Sequence, residues 1–195
     1  MVPAAPSPWN SANAVTIARI ALVPFFAWAL LVDGGETTTW RLVATGIFVV
    51  AAASDRLDGY LARKHGLITD LGKLLDPIAD KLLIGTALVL LSVLGDLPWW
   101  VTVVVLAREL AITLMRFAVL AYTVLPASRG GKLKTVLQAV AITLFLLPLS
   151  VLPGWIAVVA WVVLAAALLV TVVTGVEYLV QGWRLRRDAV NARER

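Results

Sequence analysis

Five aspartates fall within "SDRLDGYLARKHGLITDLGKLLDPIADKLL": Asp55, Asp58, Asp70, Asp76 and Asp80. Asp55 and Asp58 are spaced i, i+3, and Asp76 and Asp80 i, i+4, so on helices each pair shares a face. A turn near Gly66–Ile68 would fold two such helices antiparallel. At about 1.5 Å per residue, both pairs then lie roughly 13–20 Å from the turn, at one level. Four carboxylates at one level repel one another and are costly to bury. One or two divalent cations resolve that conflict. The plainer alternative is a set of ion pairs with Arg56, Arg63, Lys64, Lys73 and Lys81, but these bases lie mostly on other faces.

The rest of the composition narrows the metal. The chain has no cysteine and one histidine, His65. Thiolate sites, disulfides and multi-histidine zinc sites are therefore excluded. Oxygen ligation favours magnesium, manganese or calcium. Gly59 and Gly72 cost up to about 1 kcal/mol each against alanine in a helix, so each needs a reason. Close approach of a ligand to the backbone is one, with the small Ala62 in the same role; helix packing is the other. Arg63 is a fork-shaped donor one turn beyond Gly59, suited to a phosphate, or else a residue reaching for the membrane interface.

These residues must be held by apolar helices. The chain is 61% hydrophobic and 15% charged, with a mean hydropathy of +0.90. A soluble domain is about half apolar and about a quarter charged. The expected fold class is all-α: a single polytopic membrane domain over residues 1–195, with six transmembrane helices around a cytoplasm-facing polar cavity. The spans are expected at 14–32, 39–62, 71–95, 98–122, 131–150 and 154–182, separated by turn-forming stretches such as "DGGETTT", "GDLP" and "LPGW". The N-terminal segment has no basic residue before its first apolar run, which is not the start of a signal peptide, and it is expected to be retained.

Lys and Arg give the orientation. With the N-terminus inside, Arg63, Lys64, Arg129, Lys132, Lys134 and the tail "RLRRDAVNARER" are all cytoplasmic. Asp33, Glu36 and Asp96 face out, and Arg41 is the one basic residue near an outer end. Both termini and the active site are expected on the cytoplasmic side of the plasma membrane. The net charge of +5 reads as this asymmetry plus attraction to anionic membrane lipids, with no nucleic-acid partner.

At this point a resemblance emerges. "DRLDGYLARKHGLITDLGKLLDPIAD" resembles the signature of the CDP-alcohol phosphotransferases. That signature is Asp, two residues, Asp-Gly, two residues, Ala-Arg, eight residues, Gly, three residues, Asp, three residues, Asp. Asp55, Asp58, Gly59, Ala62, Arg63, Gly72, Asp76 and Asp80 fill its eight fixed places. The resemblance implies transfer of a phosphatidyl or similar group from a CDP-linked lipid to an alcohol, with release of CMP. It implies that Asp55, Asp58, Asp76 and Asp80 hold two ions, Mg2+ or Mn2+, and that Asp80 takes the proton of the acceptor hydroxyl. It places Asp58, Gly59, Ala62, Arg63, Thr69 and Gly72 against CDP-diacylglycerol. "NAVTIAR" resembles the family's Asn-x-x-Thr segment, which adds Asn13 and Thr16 to that set. The alternatives are a helix cap for Asn13 and a back-bonded hydroxyl for Thr16. A homodimer is the family's habit.

The acceptor is read from the fourth and fifth spans. In "ARELAITLMRF", Arg108, Glu109 and Arg116 lie near one helix face, and charges at that depth should face a polar cavity. "RGGKLKT" adds Lys132 and Lys134. Several cations suit an acceptor that carries its own phosphate; Lys132 and Lys134 also read as topology signals. "ARELAI…LMR", "GKLKT" and "NAVTIARIALVPFF" resemble the corresponding segments of phosphatidylglycerophosphate synthases. The acceptor then implied is sn-glycerol 3-phosphate, bound by Arg108, Glu109, Arg116, Lys132 and Lys134. Inositol phosphate is the nearest rival, with phosphatidylglycerol, serine and a diol lipid behind it. Two other classes are weighed. Membrane prenyltransferases favour Asp-x-x-x-Asp motifs on separate helices, and a divalent-cation transporter needs a pathway across the bilayer.

Overall fold

The structure, a computed structural model, describes residues 11–65, 69–120 and 129–193. Within these helices the side chains of 11–12, 55–65, 70–71, 73–74, 116–120, 129–132, 182, 184–186 and 188–193 lie outside the description. The described residues form six α-helices and no strand: α1 Ser11–Leu31, α2 Thr38–His65, α3 Asp70–Val93, α4 Trp99–Leu120, α5 Arg129–Leu146 and α6 Gly154–Arg193. All six expected helices are present, within a few residues at most ends. The fifth stops at Leu146 rather than 150, because Pro148 disfavours helix in the residue before it and cannot donate to a continuing helix. The sixth runs on to Arg193, well past 182.

Two stretches, Asn13–Gly35 and Gly154–Gln181, are long and apolar enough to cross a membrane, and Thr38–Ser54 and Leu133–Leu146 are shorter apolar helices. Their exposed sides carry Phe25, Trp28, Val50, Val140 and Leu169. A soluble protein would place charge there.

Residues 1–97 and 142–154 form one compact unit, and 98–141 and 155–195 another. In the first, α1 packs against both α2 and α3. The buried face of α1 runs through Asn13, Thr16, Arg19, Val23, Phe26 and Leu30, a helical spacing that begins polar and turns apolar along the chain. Small Ala29, Ala44 and Ala51 are buried between the larger side chains, which lets helix backbones approach closely. Phe26 meets Phe48 with ring centroids 5.8 Å apart. On α3 the inward line is Ala79, Leu83, Ala87 and Leu91.

Arg41, the exception to the charge asymmetry, has a structural reason here. Its guanidinium pairs with Asp96, the Nη1–Oδ1 arm spanning 3.5 Å. It also donates to the carbonyls of Gly35 at 3.3 Å, Phe145 at 3.2 Å and Leu146 at 3.4 Å. The last carbonyls of a helix have no intrahelical partner, and Arg41 supplies one to the end of α5.

In the second unit the buried face of α6 repeats at spacings of four and three: Ala160, Leu164, Ala167, Thr171, Thr174 and Tyr178. The matching face of α4 holds Val101, Val105 and Ile112, and that spacing places Arg108 on it.

Candidate active site

The first part of the site is built where α1 and α3 begin. Thr69 is extended (φ −116°, ψ 157°) and caps α3, its Oγ1 accepting from the Gly72 N–H at 3.1 Å. The same oxygen accepts from Asn13 Nδ2 at 2.8 Å and lies 3.2 Å from Asn13 Oδ1, to which its hydroxyl can donate. Asn13 and Thr69 are both buried. Asn13 is thus tied to the cap of a different helix. Gly72 has to be glycine for this: a Cβ there would sit 2.6 Å from Asn13 Oδ1. The close approach expected at Gly72 is therefore made by a side chain of the protein itself.

One turn further along, Thr16 Oγ1 donates to Asp76 Oδ1 at 2.7 Å. Thr16 is buried at 1% exposure, while Asp76 is exposed and Asp80 half-buried. Thr16 fixes one carboxylate oxygen of Asp76 and leaves Oδ2 for another partner. Oxygen donors of this kind suit a hard cation such as magnesium. Asp55 and Asp58 stand on α2, each roughly two to three helical turns from its hairpin end, as Asp76 and Asp80 do on α3. The side chains of Asp55, Asp58, Gly59, Ala62 and Arg63 lie outside the described residues. Among the described residues no three potential metal ligands come together. Arg19, not singled out from the sequence, is buried at 2% exposure on the face of α1 shared with Asn13 and Thr16.

The second unit holds the charged side chains expected to meet the acceptor. Glu109 is their hub. Its Oε1 accepts from Arg108 Nη1 at 2.8 Å and from Lys134 Nζ. Lys134 is buried at 6% exposure, and only 12% of the Arg108 side chain is exposed. Two cations share one carboxylate, so the cluster keeps a net positive charge. Arg116 and Lys132, expected beside them, have side chains outside the described residues.

Two further polar residues belong to this unit. Thr174 Oγ1 accepts from Arg108 Nη2 at 3.0 Å. Gln138 lies one turn beyond Lys134 on α5, is 4% exposed, and its Nε2 has no hydrogen-bond partner among the described residues; nor has Arg108 Nε. The available signal was a polar residue interrupting a mostly apolar run, as in "TVLQAVAI" and "LVTVVTGVEY".

The described residues thus give an all-helical scaffold with apolar exposed faces, carboxylates along α3 in one unit and a cationic cluster in the other. A family model described as CDP-alcohol phosphatidyltransferase matches residues 9–173, and the chain belongs to that family. It is 55% identical over 175 residues to a protein of Mycobacterium tuberculosis (strain H37Rv) named "Probable phosphatidylglycerophosphate synthase", covering 90% of this chain and 82% of the relative. It is 40% identical to the "CDP-diacylglycerol--glycerol-3-phosphate 3-phosphatidyltransferase" of Bacillus subtilis (strain 168), covering 90% and 96%. A protein of the same name from Rickettsia felis is 36% identical over 87% of this chain.

Proposed function

We propose that this enzyme transfers the phosphatidyl group of CDP-diacylglycerol to sn-glycerol 3-phosphate, giving phosphatidylglycerophosphate and CMP. The observation that carries the reading is the complete eight-residue signature of Asp55 to Asp80, within which Thr16 orients Asp76. The acceptor rests on the relatives' names and on the Arg108–Glu109–Lys134 cluster.

Asp55, Asp58, Asp76 and Asp80 would hold two divalent cations, magnesium or manganese. When bound, such ions neutralise the diphosphate and lower the cost of charge on departing CMP. Asn13, Thr16, Gly59, Ala62, Arg63, Thr69 and Gly72 shape the CDP-diacylglycerol site, Asn13 and Gly72 doing so through the α1–α3 junction. Arg108, Arg116, Lys132 and Lys134 receive the phosphate of the acceptor, and Glu109 holds Arg108 and Lys134 together. The primary hydroxyl of the acceptor attacks the phosphorus attached to diacylglycerol. A new P–O bond forms, the bond to CMP breaks, and the hydroxyl proton passes to Asp80.

The six helices span the plasma membrane as one domain, with both termini and the active site on the cytoplasmic side, and the chain forms a homodimer. The basic inner ends and the acidic outer turns support that orientation. The deciding experiment is CMP release by purified protein from CDP-diacylglycerol, with glycerol 3-phosphate, inositol phosphate, phosphatidylglycerol and serine as competing acceptors. Release that depends on glycerol 3-phosphate supports the reading. Preference for another acceptor replaces the substrate, and ion flux in liposomes without CMP release replaces the class.

A further inference from the structure

Nothing in the reaction as written gives α6 a task, yet α6 holds Arg108, one of the two cations that share Glu109. Thr174 Oγ1 donates to the Val170 carbonyl at 2.6 Å, which spends its one hydrogen and turns its lone pairs outward. Arg108 Nη2 donates to that oxygen at 3.0 Å. The next residue, Gly175, is buried, and a Cβ there would come within 3.0 Å of Arg108 Cγ and 3.6 Å of its Nε. The arginine stem therefore lies directly on the bare backbone of α6. One residue supplies the acceptor for the guanidinium, and its neighbour supplies the space for the stem.

An arginine side chain has several rotatable bonds and would otherwise sample many positions. Here it is fixed at both ends of its guanidinium, by Thr174 at Nη2 and by Glu109 at Nη1. A guanidinium carries five N–H groups. One goes to Thr174 and one to Glu109, and the Nε–H is buried beside Gly175, which leaves one N–H on each of Nη1 and Nη2. Those remaining donors are what a phosphate takes from an arginine.

We propose that Thr174 and Gly175 are positioning residues for the acceptor: together they set the Arg108 guanidinium in the orientation that receives the acceptor's phosphate. The inference rests on the assignment of Arg108 to the acceptor phosphate. It predicts an effect confined to that substrate, because pre-ordering a side chain lowers the entropic cost of binding its ligand alone.

The test is steady-state kinetics of the full-length enzyme in detergent–lipid micelles, with each substrate varied against a saturating concentration of the other. Thr174→Val keeps the shape and removes the acceptor oxygen. It should raise KM for glycerol 3-phosphate on the order of tenfold, the size of one hydrogen bond to a charged group, and leave KM for CDP-diacylglycerol unchanged. Thr174→Ser should restore the parent KM. Gly175→Ala should raise the same KM by displacing the stem. In an Arg108→Ala background, Thr174→Val should add nothing, because its effect passes through the guanidinium. If Arg108→Ala itself leaves KM for glycerol 3-phosphate unchanged, the acceptor assignment fails and the inference with it. If Arg108→Ala raises that KM while Thr174→Val and Gly175→Ala do not, the assignment stands and the positioning role is overturned. An undiminished Thr174→Val effect in the Arg108→Ala background, or equal effects on both substrates, also overturns it. Should Thr174→Val fail to fold, Gly175→Ala, alone and in the Arg108→Ala background, decides the question by the same readout.

Discussion

Thr16 on α1 donates a hydrogen bond to Asp76 on α3 across 2.7 Å, joining a residue of the N-terminal segment to a carboxylate of the Asp55–Asp80 signature. The hydroxyl is buried and the carboxylate exposed, so the bond orients the Asp76 carboxylate from its protected side. Removing the hydroxyl in Thr16→Val should weaken metal binding rather than abolish it. A hydrogen bond to a charged group is worth about 1.5–3 kcal/mol, or roughly 10- to 150-fold. The concentration of magnesium giving half-maximal activity should rise within that range, and Thr16→Ser should retain the parent value. An unchanged magnesium requirement in Thr16→Val would remove the orienting role.

Activity should vanish in excess chelator and return with magnesium or manganese. The proposed ligand set is all oxygen, and without cations the carboxylates and the diphosphate repel one another. Turnover that persists in excess chelator is incompatible with the assignment of Asp55, Asp58, Asp76 and Asp80.

Gly72→Ala places a methyl group 2.6 Å from Asn13 Oδ1, where α1 meets the cap of α3. Overpacking of this kind costs about 1–3 kcal/mol. The expected result is a lower thermal midpoint in detergent, with part of the loss recovered in the Gly72→Ala, Asn13→Ala double variant. Equal losses in the single and double variants would mean that the clash is not with Asn13.

How far the sequence revealed these features depends on the kind of signal each leaves. The aspartate signature was legible because it has fixed spacing and charge where apolar residues belong. The helices were legible from length and hydropathy, and Pro148 explains why α5 ends early. Thr174, Gly175 and Gln138 left no such mark. A helix that is apolar on every side has no hydrophobic stripe, so which face turns inward cannot be read from its periodicity. The three- and four-residue spacing of buried α6 positions is visible only once burial is known. Arg41 stood out as a charge on the wrong side, but its partners are carbonyls of residues 145 and 146, and a backbone carbonyl has no sequence signature.

Arg41→Ala should destabilise the protein without touching substrate affinity. It leaves Asp96 without its cation and the last carbonyls of α5 without a donor. The loss should be about 1.5–3 kcal/mol, the range for hydrogen bonds to charged groups, seen as a lower unfolding midpoint. Arg41→Lys should recover only part, since an ammonium cannot serve a carboxylate and several carbonyls in one plane. A changed KM for glycerol 3-phosphate at unchanged stability would point away from this structural role.

Asp80 carries two duties in the proposed reaction, and they can be separated. It stands one helical turn beyond Asp76 on α3, half-buried where Asp76 is exposed. A carboxylate is by itself a weak base. It can still receive the proton as the new P–O bond forms and the acceptor hydroxyl grows acidic. Asp80→Asn removes the base and one metal charge together, so loss of activity by itself decides nothing. The variant should be saturated with magnesium, shown to bind CDP-diacylglycerol, and then assayed for turnover. General-base catalysis contributes typically 10²–10⁴-fold. A fall of that size with metal and donor bound normally identifies Asp80 as the base. Recovery of full turnover at saturating metal would leave Asp80 as a ligand only.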